Sequence, residues 1–507
     1  TPSLREAMET PQRDVSRIVL PPASFEHEHE KINERWPAAV DFIRERELNR
    51  RIAGSREDLG LIVQGGLYNT LQRTLERLEL ADAFGAAELP MYVMNVTYPV
   101  IDAEVVEFCN GKRAVLLLEE GQPNFIEQNI ESILRKTGSN TQLVGKGKLP
   151  LAGEYTSAVI RDGVVDFMQR FAPVWKAPDD PRALVTELAS DIATSVPARP
   201  PGLCTGCPER PVFTSLKLMQ EELGEFHVSA DIGCHLFSIL PPFHIGNTTM
   251  GYGLGAAGAS AFNTGSDKPA ISIMGDGGFW HNGLTSGIGN AVFNKNDGLT
   301  IVIDNNYSAA TGGQDLLSSK GENANRSTQH AIEKAARGVG VKWARTVRTY
   351  DIGAMRAALK DAVSRKGTGP KVLIAQSECM LNKQRREKPL FASAVKAGKR
   401  VVQERFGIDE DTCTGDHACI RLSGCPSLTI RENPDPLKTQ PVSYVDNSCV
   451  GCGTCGEVAH EAVLCPSFYK GEVIHNPGWF DRLLWNLRSG VIGRLQMRAE
   501  RRRLRTA

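Results

Sequence analysis

Twelve cysteines stand in a chain of 507 residues, and they are spread unevenly. Seven fall between Cys413 and Cys465, among them the run Cys449-Val450-Gly451-Cys452-Gly453-Thr454-Cys455. A separate pair, Cys204 and Cys207, is followed by the isolated Cys234 and Cys379. Disulfides would need an oxidising compartment, and the opening Thr1-Pro2-Ser3 stretch lacks the charged-then-apolar layout of a secretory signal. Crowded CysXXCys spacings therefore point to metal or cluster ligation in a cytoplasmic protein. Four thiolates at 204, 207, 234 and 379 would satisfy either an iron–sulfur cluster or a structural zinc. Cys109, alone in an apolar helix, reads as a small buried hydrophobe.

A second constellation holds no sulfur. The apolar run Ile271–Met274 leads into Gly275-Asp276-Gly277-Gly278, and the run Thr300–Ile303 leads into Asp304-Asn305-Asn306-Tyr307. Glycines at a strand end let backbone amides approach a phosphate, and the helix that follows favours negative charge at its start. A carboxylate and an amide oxygen on adjacent strand ends are hard ligands that suit Mg²⁺ bound to a diphosphate. Asp276 with Asn305 or Asn306 would supply them. His281 is open to two readings, a core histidine or a group facing a cofactor.

The elements that must position these residues are alternating short apolar strands and helices. Residues 59–66 read as strand and glycine turn, with a helix after them, and 114–120 as a second buried strand. The runs 271–274, 300–303 and 371–375 are the strands of a second unit. A proline-rich joint at 196–203 separates the two, and beyond 410 periodicity fades into Cys, Gly, Pro and Asp. The expected class is α/β, with two open α/β domains followed by a small iron–sulfur module. The segments are 1–57 (a linker), 58–195, 196–405, 406–470 and 471–507. The last is read as a basic amphipathic helix over 479–506, fit to dock on a partner subunit or a membrane surface.

Composition excludes little and agrees with this. Hydrophobic residues make up 41% and charged ones 23%, the formal net charge is zero, and no apolar run is long enough to span a bilayer. Nothing argues for nucleic-acid binding.

The residues Gly275-Asp276-Gly277-Gly278-Phe279-Trp280-His281-Asn282-Gly283 and Asp304 through Thr311-Gly312-Gly313-Gln314 resemble the diphosphate-binding domain of 2-oxoacid:ferredoxin oxidoreductases, in particular the large subunit of the indolepyruvate enzymes. The resemblance runs over nearly the whole chain, and residues 58–140 are similar to that family's transketolase C-terminal-like domain. It implies thiamine diphosphate as cofactor, with Gly275, Asp276, Gly277, Gly278, Asn305, Tyr307, Thr311, Cys234 and His235 around it. Mg²⁺ would lie on Asp276, Asn305 and the Tyr307 carbonyl, and His281 would point to the cofactor as the catalytic residue. It also implies a [4Fe–4S] cluster on Cys204, Cys207, Cys234 and Cys379, although Thr205 and Glu209 depart from the family's CysProGlyCysProHis run.

The C-terminal cysteines resemble a two-cluster ferredoxin, whose fourth cysteine, before proline, serves the other cluster. One [4Fe–4S] cluster then takes Cys425, Cys449, Cys452 and Cys455. The other takes Cys413, Cys419 and Cys465 with Asp416 in place of a cysteine, as [4Fe–4S] or [3Fe–4S]. The implied reaction is oxidative decarboxylation of arylpyruvates such as indolepyruvate and phenylpyruvate. Electrons would go to ferredoxin or another low-potential acceptor and the acyl group to coenzyme A. A second, beta subunit and a pyrimidine-binding domain outside this chain are expected. The alternatives are an electron-transfer subunit without its own catalysis, and the same reaction on another 2-oxoacid such as pyruvate.

Overall fold

In a computed structural model, residues 8–9, 15–193, 195–196, 201–263, 267–435 and 437–506 are described. The proline-rich joint falls partly outside them, at 197–200, as does most of the opening stretch read for a signal. The chain divides into two compact units, Thr1–Ala198 and Arg199–Ala507.

The first unit is built on a five-stranded sheet of β1 (Arg50–Ile52), β2 (Leu59–Gln64), β3 (Met91–Met94), β4 (Ala114–Leu118) and β5 (Gln142–Val144), in the order β1-β3-β2-β4-β5. All pairings are parallel except β1 with β3. Alternation along each strand sends Leu59, Leu61 and Val63 to one face and Ile62 to the other, and Leu116 and Val115 likewise. Helices cover both faces, so the central strands read as unbroken apolar runs. Residues 50–52 were expected to belong to a linker. Instead they pair antiparallel with β3, Ile52 opposite Met91; an exposed edge strand needs no apolar run, which is why charge disguises it.

The second unit holds a six-stranded, all-parallel sheet: β6 (Val228–Ala230), β7 (Thr248–Thr249), β8 (Ile271–Gly275), β9 (Leu299–Asp304), β10 (Trp343–Arg348) and β11 (Lys371–Gln376), ordered β10-β11-β9-β8-β6-β7. Ile271, Ile273, Ile301 and Ile303 pack on one face with the helix Glu209–Leu223; Met274 and Val302 pack on the other. Beyond the sheet, β12 (Val401–Ile408) pairs with β15 (Phe468–His475), and between them β13 (Leu428–Arg431) pairs with β14 (Val442–Val445), both antiparallel. The apolar cluster there is small, Ile408, Leu428, Phe406, Ile420, Val445 and Phe468, and cysteines 413, 419, 425 and 455 complete it.

Trp479–Thr506 is one helix, as expected, but its apolar residues are not gathered on one side. At 100° per residue, Arg494, Arg498 and Arg501 fall on the side that Trp479, Phe480, Leu483 and Leu487 occupy in the first half. Among the described residues no helix is long and apolar enough to cross a membrane.

Candidate active site with adjoining thiol groups

In an open parallel sheet the crevice outside the carboxyl ends of the strands is the place where backbone amides and strand-end side chains converge. Here β6 ends into Asp231, β8 into Gly275 and Asp276, and β9 at Asp304. The ladder aligns Gly275 with Ile303 and Asp304 with Gln376, so these ends lie level. A cavity of about 330 Å³ opens there. Gly275, Asp276, Gly277, Gly278, Asn305, Tyr307, Thr311, Cys234 and His235, the residues expected around the cofactor, all line it. Gly277 has no room for a side chain, since a Cβ would lie 2.0 Å from the Tyr252 hydroxyl.

The cavity floor is rich in buried, incompletely bonded carboxylates. Asp276 is 1% exposed; its Oδ1 accepts from the Gly277 amide at 2.8 Å, and Oδ2 has no hydrogen-bond partner among the described residues. Burial, and then the neighbouring Asp304 carboxylate, push Asp276 well above the ordinary carboxylate range. Burial raises Asp304 as well, while Gln376, donating to its Oδ2 at 2.7 Å, works against the shift. Two acids this close in a dry site call for a proton or a cation. Asn305 is buried with its Oδ1 accepting from the Tyr307 amide at 3.3 Å. Asn306 is equally buried and its amide has no partner among the described residues, but it does not line the cavity. Asp276, Asn305 and the Tyr307 backbone thus present a hard-oxygen set that suits a divalent cation.

The loop after β9 closes on itself. Gln314 donates to the Thr311 carbonyl at 2.7 Å, and Gly312 and Gly313 take positive φ to turn the chain. Tyr252 lines the cavity too, and one further lining residue, Glu209, was not expected from sequence. Glu209 is fully buried, pushed up to about 7 by burial and held back by His235. Its position next to the CysXXCys pair was the available signal. His235 is buried against Asp231, whose Oδ2 also accepts from the Gly253 amide at 2.8 Å. His281 does not line the cavity. It is exposed, and its ring lies 5.3 Å from that of Tyr252, which does.

The cysteines fall into three neighbourhoods. Burial raises Cys234 to about 12, and after it Glu209, Cys379 and Cys204 push the same way; Cys207, also raised by burial, feels Cys234. This group adjoins the cavity: Cys234 lines it, and the Cys379 amide donates to the Asn305 carbonyl at 2.9 Å. Cys455 is raised by burial and then by Cys425, Cys452 and Cys449. Cys419 is raised by burial, with Cys465 and Cys413 adding to it. Asp416 is exposed, and its carboxylate accepts from the Ala418 amide at 3.2 Å, at the start of the short helix Ala418–Ser423. Cys109 lies in the apolar core of the first unit. Among the described residues no three Cys, His, Asp or Glu side chains are drawn together tightly enough to hold a single ion.

Comparison with known proteins agrees with this geometry. Residues 231–375 match the thiamine pyrophosphate enzyme C-terminal TPP binding domain. The chain is 28% identical over 469 residues to the indolepyruvate oxidoreductase subunit IorA of Methanothermobacter thermautotrophicus, covering 90% of this chain and 67% of that one. Against the IorA subunits of Thermococcus kodakarensis and Methanothermobacter marburgensis it is 27% identical, covering 88% and 83% of this chain and 66% and 62% of theirs. The chain therefore spans about two thirds or less of the length of these relatives. A solved 2-oxoglutarate:ferredoxin oxidoreductase from Magnetococcus marinus aligns with 36% of this chain and 65% of its own, at 18% identity and a TM-score of 0.32. The chain is similar to the IorA subunits, and its second α/β unit holds the segment that matches the thiamine diphosphate-binding domain.

Proposed function

We infer that this chain is the thiamine diphosphate-binding and cluster-carrying part of a 2-oxoacid:ferredoxin oxidoreductase that acts on arylpyruvates such as indolepyruvate. The observation that carries the reading is the buried acid Asp276 at a strand end, backed by the buried Asp304 of the neighbouring strand and lining a glycine-rich cavity beside a group of four thiols. Mg²⁺ would be held by Asp276, Asn305 and the Tyr307 carbonyl, with the diphosphate against the Gly275–Gly278 amides. When bound, thiamine diphosphate supplies the nucleophilic carbon and the electron sink that decarboxylation of a 2-oxoacid requires. The protein positions and isolates: Tyr252 fills the space over Gly277, and the Asp231–His235 pair fixes the wall that carries Cys234.

Three iron–sulfur clusters, on Cys204/Cys207/Cys234/Cys379, on Cys425/Cys449/Cys452/Cys455 and on Cys413/Cys419/Cys465, would lead electrons to ferredoxin. Residues 406–470 would then be a ferredoxin-like module stabilised by its clusters as much as by its small core. The third cluster is [4Fe–4S] with Asp416 or solvent on the fourth iron, or [3Fe–4S]; Asp416 would have to leave the Ala418 amide to become a ligand. His281 would act from the cavity rim, through Tyr252. Coenzyme A would accept the acyl group, and a beta subunit and a pyrimidine-binding domain would complete the enzyme.

The test is anaerobic iron and acid-labile sulfide analysis with low-temperature electron paramagnetic resonance, before and after adding indolepyruvate, thiamine diphosphate, Mg²⁺ and coenzyme A to the enzyme. Roughly eleven or twelve irons, with reduced-cluster signals that appear only on substrate addition, support the reading. Roughly eight irons together with bound zinc would remove the first cluster from the electron path.

A further inference from the structure

Arg210 follows the Cys204–Cys207 pair by three residues and opens the helix Glu209–Leu223 with its side chain 0% exposed. A guanidinium is rarely taken out of water without a carboxylate or a full set of acceptors, because its charge loses its hydration shell. Here one donor alone is engaged: Nη1 donates to the Ser423 carbonyl at 3.1 Å. Nε and Nη2 have no hydrogen-bond partner among the described residues. The groups that favour its charge, against the cost of burial, are Cys425, Cys452, Cys207 and Tyr350, so both the first and the second thiol groups lie around it.

Packing independently shows that those two groups adjoin. A Cβ on Gly206, whose φ is +73°, would lie 2.4 Å from Cγ2 of Val450, between Cys449 and Cys452. Tyr350 donates to the Gly206 carbonyl at 2.6 Å, and the Ser427 hydroxyl lies 3.3 Å from that of Thr205. Thr214, one turn along the same helix, donates to the Leu422 carbonyl at 2.7 Å. The helix and the loop before it are thus fastened to the segments that carry Cys425 and Cys449–Cys452.

We propose that Arg210 is a cationic bridge shared by the cluster on Cys204, Cys207, Cys234 and Cys379 and the cluster on Cys425, Cys449, Cys452 and Cys455, its two free donors meeting cluster or thiolate sulfur. This rests on the reading of both thiol groups as cluster sites. Each cluster gains one negative charge when it takes up one electron, and Arg210 stays protonated throughout. A fixed positive charge in a dry site stabilises the reduced form more than the oxidised one, so it raises both potentials. One residue then keeps two neighbouring stations accessible to electrons leaving the cavity.

The experiment uses the full chain, prepared anaerobically with its clusters. Iron and sulfide are counted first, and redox titration followed by electron paramagnetic resonance then compares wild type, Arg210→Lys and Arg210→Met. Arg210→Met is expected to make both clusters at least about tenfold harder to reduce, about 59 mV for one electron, while Arg210→Lys keeps most of the wild-type value. Wild-type potentials in Arg210→Met with full iron content, or a shift of one cluster alone, overturn the bridge. A wild-type chain without iron overturns the cluster reading itself. Should Arg210→Met take up no iron, wild type labelled with guanidino-¹⁵N arginine decides. A ¹⁵N coupling to the reduced first cluster, lost in Arg210→Lys, supports the bridge, and no coupling in wild type overturns it.

Discussion

Each unit of this molecule carries a buried carboxylate just past the end of a central parallel strand, and the two are treated in opposite ways. Glu119, after β4 in the first unit, is 4% exposed, and both its oxygens are used, accepting from the Ile126 and Glu127 amides at 2.9 and 3.0 Å. The start of the helix Phe125–Lys136 closes on it, and nothing further is wanted. Asp276, after β8 in the second unit, is as deeply buried, but its Oδ2 has no partner among the described residues, a second acid, Asp304, neighbours it, and it lines a cavity. At the other end of that same sheet Asp297 resembles Glu119. It accepts from the Gly367, Thr368 and Gly369 amides and from Lys371, which is itself fully buried. Closed carboxylates hold the fold together, and an open one costs stability unless a ligand completes it, as proposed for Asp276.

Substitution separates the two kinds. Asp276→Asn has the largest expected effect: Mg²⁺-supported binding of thiamine diphosphate falls about a hundredfold or more. The cofactor-free chain gains on the order of 1 kcal/mol at neutral pH, since burial and Asp304 raise this acid and folding must either leave it charged or protonate it, a cost the amide does not carry. Calorimetric binding and thermal unfolding of the same sample check both signs, and a variant that loses stability as well would break the contrast.

Asp297→Asn comes next. It strands the buried Lys371 ammonium and is expected to cost about 3 kcal/mol, the low end for a broken buried pair because Asp297 is partly exposed. Hydrogen bonds from Lys371 and the loop amides hold Asp297 below its ordinary value of 3.8, against the effect of its burial. A depressed acid stabilises the fold above its unfolded value and loses that contribution as pH falls through the folded one. Urea unfolding against pH should therefore show a flatter acid limb below about 3.8 in the variant than in wild type.

Glu119→Gln is the smallest. One of two helix-end amides loses a charged acceptor, for about 1–2 kcal/mol, with cofactor binding unchanged. A loss of binding would make Glu119 more than a structural cap.

Much of this contrast was readable in the sequence, and the rest was hidden for definite reasons. β2, β4, β8, β9 and β11 are covered on both faces and so announce themselves as apolar runs. β10 is an edge strand whose pattern includes exposed Arg345 and Arg348, and β3 is four residues long, too short to carry a period. The Gly275–Gly278 and Asp304–Tyr307 motifs were legible because each is contiguous. Glu209 reaches the same cavity from a distant segment, and no local pattern marks such convergence. His281 was expected at the cofactor by resemblance alone; it lies where the helix widens over Phe279–Gly289 and is exposed, beside Tyr252. Arg210 could not be singled out either, because its meaning comes from Ser423 and Cys425, more than two hundred residues away along the chain.

The most direct test of the account is equilibrium binding of thiamine diphosphate to the full chain, with and without Mg²⁺, in wild type and Asp276→Asn. The account predicts binding that requires Mg²⁺ in wild type and is lost in the variant. Binding indifferent to Mg²⁺, or undiminished by Asp276→Asn, would contradict the assignment of the open strand-end acids as the cation and diphosphate site.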